Sequence, residues 1–264
     1  MPVGPYTPRK GDGGSGMLAR FCTLAWALLA AVPALGQAPQ VIEANAPENF
    51  NESYDLSAPV AGSPLVGLRL GDLEAAGDNA ITVIGPPAGD SGVCLRVTTK
   101  DGRFSSANNF GVTGNASGQL VRISPLTQEY RSQLSQYPAG EIAFRAFGTS
   151  SSECVPARAL NLPVLGSDAA TSSRLVLFAN GKSQPATVAL YPTDATEPPP
   201  GLRPVAETGC TPATGGTTVA YDLVCRLDLP SGYSGRALLA LEFSDGFSTD
   251  SYYYATLVPQ LAAP

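Results

Sequence analysis

After residue 60, apolar and polar positions alternate along most of the chain with a period of two, and Gly, Pro, Asn or Asp separates the alternating runs. Successive side chains of a β-strand point to opposite faces, so this alternation predicts an all-β fold. The clearest strands are residues 93–98, 219–229 and 239–243. The other predicted strands are residues 64–70, 80–84, 119–123, 141–147, 157–164, 174–179, 186–191, 203–207 and 249–258.

Two of the clearest strands also indicate which side chains face the core. In the first, Val93, Leu95 and Val97 share one face, whereas Cys94 lies on the opposite face. The longest strand has one apolar face, made of Val219, Tyr221, Leu223, Cys225, Leu227 and Leu229. Its other face carries the charged residues Asp222, Arg226 and Asp228. A register shift of one residue would bury all three charges, so the pattern strongly favours one register.

Three dipeptides predict tight turns between neighbouring strands, namely Asp101-Gly102, Asn180-Gly181 and Asp245-Gly246. Such dipeptides supply the residues with positive φ that two-residue hairpin turns require. One segment instead predicts a helix, which begins with Ser124 as the N-cap and ends before Pro138. Its apolar face consists of Leu126, Tyr130, Leu134 and Tyr137. We interpret this helix as a crossover between strands.

A run of small and polar residues, 166–173, separates two apolar stretches of similar size. Such a run is typical of a domain boundary. We therefore predict an extended lead-in over residues 37–60, followed by two tandem immunoglobulin-like β-sandwich domains, residues 61–166 and residues 167–264. Each segment has the length and the number of strands of that fold. The single tryptophan, Trp26, lies before both domains, so neither has the buried tryptophan of true immunoglobulin domains.

Residues 1–36 have the pattern of a cleaved signal peptide. Arg20 precedes an apolar run, residues 21–32, and small residues follow it before Gln37. The apolar run is shorter than the roughly 20 residues that a membrane-spanning helix needs. Met17 is an alternative start of the chain. We expect a mature protein that begins at Gln37 in the periplasm or outside the cell and has no membrane span.

Four cysteines follow the predicted signal peptide, namely Cys94, Cys154, Cys210 and Cys225. An even number of cysteines in an exported chain predicts disulfide bonds. Four cysteines allow three pairings. The domain boundary favours Cys94–Cys154 with Cys210–Cys225, because each bond then stays within one domain.

The composition excludes several classes of chemistry. The chain has no histidine, so it lacks histidine-ligated metal sites and the Ser-His-Asp and Cys-His nucleophile systems. Its net charge of −6 argues against binding to nucleic acid, which requires a basic surface. Paired carboxylates such as Asp222 and Glu242 are the catalytic chemistry that remains, although charged strand faces are usually solvated. We therefore expect no enzyme activity.

One acidic segment is a candidate calcium site. Three carboxylates and one amide occur close together in the chain, on the side chains of Asp72, Glu74, Asp78 and Asn79. Calcium prefers oxygen ligands of this kind, but the spacing matches no regular calcium-binding loop. An exposed acidic loop that keeps the protein soluble is the alternative interpretation. Apart from calcium, the sequence predicts no cofactor.

The predicted last strand carries three consecutive tyrosines, and Tyr252 and Tyr254 share one face of it. Exposed tyrosine is favoured at protein interfaces, because it supplies a large contact area at a low entropic cost. We therefore predict that Tyr252 and Tyr254 form an exposed surface for self-association or for a protein partner. The alternative is that both rings cover a sheet face or contact the other domain.

These observations predict an exported, non-catalytic protein with a structural or protein-interaction role in the cell envelope. The composition, which is rich in alanine, glycine and arginine and poor in lysine, is typical of a bacterial protein. A binding module for calcium or a glycan is the first alternative function. A carboxylate-based hydrolase is the second.

Overall fold

The computed structural model describes residues 41–43, 63–71, 81–85, 92–111, 120–123, 132–149, 154, 160–166, 173–214 and 221–260. Nearly all regular structure in these ranges is β-strand, which confirms the predicted all-β fold. The predicted signal peptide and most of the lead-in lie outside the described residues. The lead-in contributes one described strand, Val41–Glu43, at the edge of a sheet.

Most of the strands follow the alternating segments of the sequence, whereas the strands at residues 105–111 and 211–212 were not predicted. They are β1 (Val41–Glu43), β2 (Leu65–Leu70), β3 (Ile81–Ile84), β4 (Gly92–Thr99), β5 (Ser105–Gly111), β6 (Leu120–Ile123), β7 (Ile142–Thr149), β8 (Asn161–Leu162), β9 (Val164–Leu165), β10 (Arg174–Ala179), β11 (Ala186–Tyr191), β12 (Ala206–Gly209), β13 (Thr211–Pro212), β14 (Leu223–Asp228), β15 (Gly235–Ser244) and β16 (Thr249–Val258). A short 3-10 helix spans Ala139–Glu141.

These strands form two sheets, and each sheet contains strands from both halves of the chain. Sheet A has the order β1-β6-β3-β9-β2-β10-β14-β13. Sheet B has the order β12-β11-β15-β16-β8-β7-β4-β5. The two halves are therefore joined within both sheets, through the β2–β10 pair in sheet A and the β16–β8 pair in sheet B.

The sheets enclose two hydrophobic cores. The first core contains Ile81, Val83, Val121 and Val164 of sheet A and Val93, Leu95, Val97, Phe110, Ile142, Phe144, Ala146 and Leu162 of sheet B. The second core contains Leu65, Leu68, Leu70, Leu175, Leu177, Leu223, Cys225 and Leu227 of sheet A and Ala186, Val188, Leu190, Ala237, Leu239, Leu241, Phe243, Tyr254 and Val258 of sheet B. Full burial of each large aliphatic side chain contributes roughly 2 kcal/mol, so these cores hold the sheets together.

Strands β2 and β9 lie between the two cores. β2 belongs to the segment that the sequence assigns to the first sandwich, yet its leucines pack in the second core. In β9, Val164 lies in the first core, whereas its neighbour Leu165 packs against the second core. The predicted boundary near residue 166 falls in the connection between β9 and β10. β2 precedes this boundary in the chain but packs in the second core. Two separate tandem domains stay a prediction.

The predicted faces of two strands are confirmed, with one exception. Val93, Leu95 and Val97 lie in the first core. The apolar face of the longest predicted strand lies in the second core from Leu223 to Leu229. Val219 lies outside the described residues, and Tyr221 does not share that face. It packs with Phe178 on the other side of sheet A, because β14 begins only at Leu223 and the strand alternation does not extend back to Tyr221.

The chain turns at all three predicted positions, but none of the dipeptides adopts the predicted two-residue turn. Gly102 and Gly246 have positive φ, whereas Asp101 and Asp245 do not, so neither pair forms a type I′ turn. In the turn after β10, positive φ occurs instead at Lys182 (50°) and Ser183 (70°). Gly181 is needed for packing, since a Cβ atom there would lie 2.5 Å from Cε1 of Phe243.

The predicted crossover helix lies only partly within the described residues. Residues 132–134 are helical, and Leu134 is buried in the first core. Tyr137 packs against the same core, as the predicted apolar face requires. The segment before residue 132 that was assigned to this helix lies outside the described residues.

Candidate functional site

Both predicted disulfide bonds are present. Cys94 of β4 bonds to Cys154 with a Cα–Cα distance of 5.5 Å. Cys210, between β12 and β13, bonds to Cys225 of β14 with a Cα–Cα distance of 4.1 Å. The second bond fixes the point where the chain passes from sheet B to sheet A. Bonds of this kind are typical of proteins from oxidising compartments, such as the periplasm or the extracellular space.

The prediction that Tyr252 and Tyr254 form an exposed pair is wrong. Tyr254 is only 8% exposed and lies in the second core. Its hydroxyl lies 3.1 Å from Oγ of Ser63 and accepts a 3.4 Å hydrogen bond from the backbone N–H of Leu65. A buried tyrosine is stable when its hydroxyl finds such partners. Tyr252 is half-buried, and its ring packs edge-on against Phe243 with a centroid distance of 5.9 Å.

Arg145 is a buried cation between the two cores. Its Nε donates to Oδ1 of Asn161 at 3.2 Å, and its Nη1 donates to the carbonyl of Leu65 at 3.1 Å and to Oγ of Ser63 at 3.4 Å. Its guanidinium also lies 5.8 Å from the centroid of the Tyr254 ring. Arg145 therefore connects β7 to β2, β8 and β16. We call Arg145, Asn161, Ser63 and Tyr254 the arginine joint.

Asn161 continues this network into β16. Its Nδ2 donates to the carbonyl of Ala255 at 3.1 Å, and its own carbonyl accepts a 2.7 Å hydrogen bond from Oγ1 of Thr256. β8 pairs with β16 at only one position, Thr256 opposite Asn161. These side-chain bonds therefore supplement a short strand pairing at the place where the two halves of sheet B meet.

The acceptors of Arg145 are all neutral. Within the described ranges, the two ion pairs are Arg103–Asp101 and Arg174–Asp228, and neither involves Arg145. Burial lowers the pKa of Arg145 to about 10, and the neighbouring charge of Arg96 lowers it as well. The side chain therefore stays charged at neutral pH. Its role is structural, because hydrogen bonds to β2 and β8 occupy its Nε and Nη1.

A smaller contact also joins the two halves. The hydroxyl of Tyr221 donates to the carbonyl of Gly140, and its ring packs edge-on against Phe178 at 4.9 Å. The guanidinium of Arg69 lies 4.4 Å from the centroid of the same Phe178 ring. Burial raises the pKa of Tyr221 to about 12, so its hydroxyl stays protonated as a donor at neutral pH. The 3-10 helix before β7 is thereby attached to sheet A.

The outer face of sheet B around β11, β15 and β16 carries the exposed tyrosine. The register places Ala240 between Ala189 and Tyr253, and Leu238 between Tyr191 and Ala255. Glu207 and Glu242 point to the same side of the sheet as these residues. We call the surface formed by Tyr191, Tyr253, Glu207 and Glu242 the tyrosine face.

Two carboxylates lie beside the rings of the tyrosine face, and exposed Arg236 lies on the same side of β15, two residues before Leu238. Burial raises the pKa of Tyr191, and the charges of Glu242 and Glu207 raise it further. Tyr253 is 38% exposed, and Glu207 is exposed at the β12 edge. The face can therefore offer two aromatic rings and two carboxylates to a partner.

A second exposed aromatic lies at the tip of the β15–β16 hairpin. Phe247 is fully exposed, with a relative accessibility of 101%. Oδ1 of Asp245 accepts hydrogen bonds from the backbone N–H groups of Phe247 and Ser248, both at 2.8 Å. These hydrogen bonds keep the pKa of Asp245 below its usual value. The turn that presents Phe247 is therefore well defined.

Asp222 and Glu242 do not form a shared carboxylate site. Oδ1 of Asp222 accepts a 2.7 Å hydrogen bond from the N–H of Gly181, and its Oδ2 accepts a 2.6 Å bond from the N–H of Ser183. Asp222 thereby stabilises the turn after β10. Glu242 lies on the outer face of sheet B, in β15.

The candidate calcium ligands Asp72, Glu74, Asp78 and Asn79 lie outside the described residues. Within the described residues, no group of three or more His, Cys, Asp or Glu side chains could hold a metal ion. The same part of the chain contains no helix that is long and apolar enough to cross a membrane.

Two features of these sites were not predicted from the sequence. Arg145 could have been noticed as a single charge within the apolar run of residues 142–147, which indicates a buried partner network. The tyrosine face depends on the register between three strands that are distant in sequence, and alternation within one strand does not give that register.

The chain matches no known protein family and no curated protein sequence. Among solved structures it is similar to one described as "Biofilm associated protein - BSP domain", with 11% sequence identity and a TM-score of 0.22. The similarity covers 76% of this chain and 30% of that chain, so it spans less than a third of the other protein. A TM-score this low carries no argument about fold or function.

Proposed function

We propose that this chain is an exported, non-catalytic protein of a bacterial cell envelope, with a structural or protein-interaction role. It consists of two immunoglobulin-like β-sandwiches joined by shared sheets. The mature protein acts in the periplasm or outside the cell. Its partner is another protein or a second copy of the chain.

The strand order supports the immunoglobulin-like part of this proposal. Around the second core, β2-β10-β14-β13 faces β12-β11-β15-β16. These orders correspond to the ABED and C′CFG sheets of immunoglobulin-like domains, with β2 in the place of strand A. Around the first core, β8-β7-β4-β5 corresponds to the order GFCC′.

The observation that carries the proposed role is the combination of a fixed frame with exposed aromatic side chains. The disulfide bonds and the arginine joint connect the strands of the frame. Tyr253 and Phe247 are the large hydrophobic residues that this frame exposes within the described ranges. Exposed aromatic groups on a rigid support are typical of interaction surfaces, where tyrosine and phenylalanine are enriched.

The mass and the thiol content of the protein from its native envelope test the export. We expect a chain that begins at Gln37 and has no free thiol, because Cys94, Cys154, Cys210 and Cys225 are all bonded. Titration of thiols before and after reduction, with the intact mass, measures both properties. Recovery of the uncleaved chain from the cytoplasm with four reactive thiols would contradict the proposal.

Calcium or glycan binding stays an alternative prediction. The segment from Asp72 to Asn79 that motivates the calcium site lies outside the described residues. The hydrolase alternative has less support, since both oxygens of Asp222 accept hydrogen bonds from the backbone of a turn.

A further inference from the structure

We propose that the tyrosine face binds a basic segment of a partner protein, with arginine or lysine side chains placed over Tyr191 and Tyr253 and paired with Glu207 and Glu242. This inference rests on the proposed interaction function and names the chemistry of its partner.

The accessible part of the face is its rings and carboxylates. In the register, Leu238 and Ala240 lie between Tyr191 of β11 and Tyr253 of β16, but they are only 2% and 1% exposed and so are already covered. Tyr253 is 38% exposed, and Tyr191 is half-buried. A partner side chain can therefore lie over the exposed ring of Tyr253, but it does not reach the sheet between the two tyrosines.

The two carboxylates of the face favour a positively charged ligand. Glu207 of β12 and Glu242 of β15 lie opposite Ala189 and Thr187 of β11, respectively. The surface of a tyrosine ring attracts guanidinium and ammonium groups, and a neighbouring carboxylate adds a charge-assisted hydrogen bond. The net charge of −6 attracts basic partners over a longer range.

The same charges disfavour a second copy of the chain as the occupant. A symmetric dimer uses the same surface on both subunits, so it would bring the carboxylates of both tyrosine faces together. Like charges at an interface weaken association. A basic partner removes this repulsion, whereas a second copy increases it.

The test is an NMR titration of the isotope-labelled mature protein with hexa-arginine, and with hexa-glutamate as the control peptide. We expect hexa-arginine to shift the amide signals of β11, β15 and β16, and hexa-glutamate to shift none of them. The Tyr191→Ala/Tyr253→Ala variant should bind hexa-arginine roughly tenfold more weakly. The Tyr191→Phe/Tyr253→Phe variant keeps both rings and should bind like the unaltered protein.

A charge-matched control separates the face from general attraction to an acidic protein. Glu207→Gln/Glu242→Gln and Asp194→Asn/Glu197→Gln each remove two exposed or half-exposed carboxylates, but only the first pair lies on the tyrosine face. The inference is overturned if both variants weaken binding equally, if the shifts spread over all acidic regions, or if the protein dimerises through this face. If the exported protein binds its partners through another surface, this inference is refuted but the proposed function still holds.

Discussion

Replacing Arg145 by alanine is expected to lower the free energy of unfolding by about 2–4 kcal/mol. The variant leaves the carbonyl of Leu65 and Oδ1 of Asn161 buried without their donor, and it opens a cavity beside Tyr254. Relief of the buried positive charge offsets part of this loss, which is why the expected range is wide. Urea-induced unfolding measures the change.

Arg174 provides the matched control for this experiment. It also forms a hydrogen-bonded contact, at 2.7 Å to Asp228, but both side chains are at least half exposed. Exposed ion pairs contribute about 0–1 kcal/mol, so Arg174→Ala should have a small effect. Equal effects of the two substitutions would show that the arginine joint does not hold the two halves together.

Replacing both Cys210 and Cys225 by serine is expected to lower the stability by about 4 kcal/mol. The bond closes a loop with a sequence separation of 15 residues, which contributes about 3 kcal/mol in the chain-entropy model. Cys225 is fully buried in the second core, so a serine hydroxyl there adds about 1 kcal/mol or more. The melting temperature should fall by roughly 10 °C or more.

An alanine pair at the same positions separates the two contributions. Cys210→Ala/Cys225→Ala loses the loop constraint but buries no hydroxyl, so it should be more stable than the serine pair. If the serine and alanine pairs melt at the same temperature, then position 225 is not in an apolar core. If neither pair melts below the unaltered protein, the bond does not contribute to stability.

Local patterns predicted most of the strands, although not β5 and β13, and both disulfide bonds, because these depend on residues whose spacing is visible in the chain. Alternation placed Val93, Leu95 and Val97 on a core face, and four cysteines in two segments indicated two bonds. The same alternation separated Tyr252 and Tyr254 from Tyr253. It could not show which of the two faces was exposed, since that depends on the sheet that packs against β16.

The features that the sequence did not predict arise from contacts between distant segments. β2 packs in the second core because it pairs with β10, more than 100 residues further along the chain. The turn after β10 is held by Asp222, which lies about 40 residues further along the chain and accepts hydrogen bonds from the N–H groups of Gly181 and Ser183. Such contacts depend on tertiary packing, which local propensity does not encode.

The central claim is that the protein associates with other proteins through the tyrosine face. Its most direct test is photo-crosslinking in the native cells, with a photoreactive amino acid in place of Tyr253 and, as the control, in place of Arg174. We predict a covalent adduct from position 253 that maps to a basic segment of an envelope protein, and none from position 174. No adduct at position 253, or equal adducts at both positions, would contradict the account.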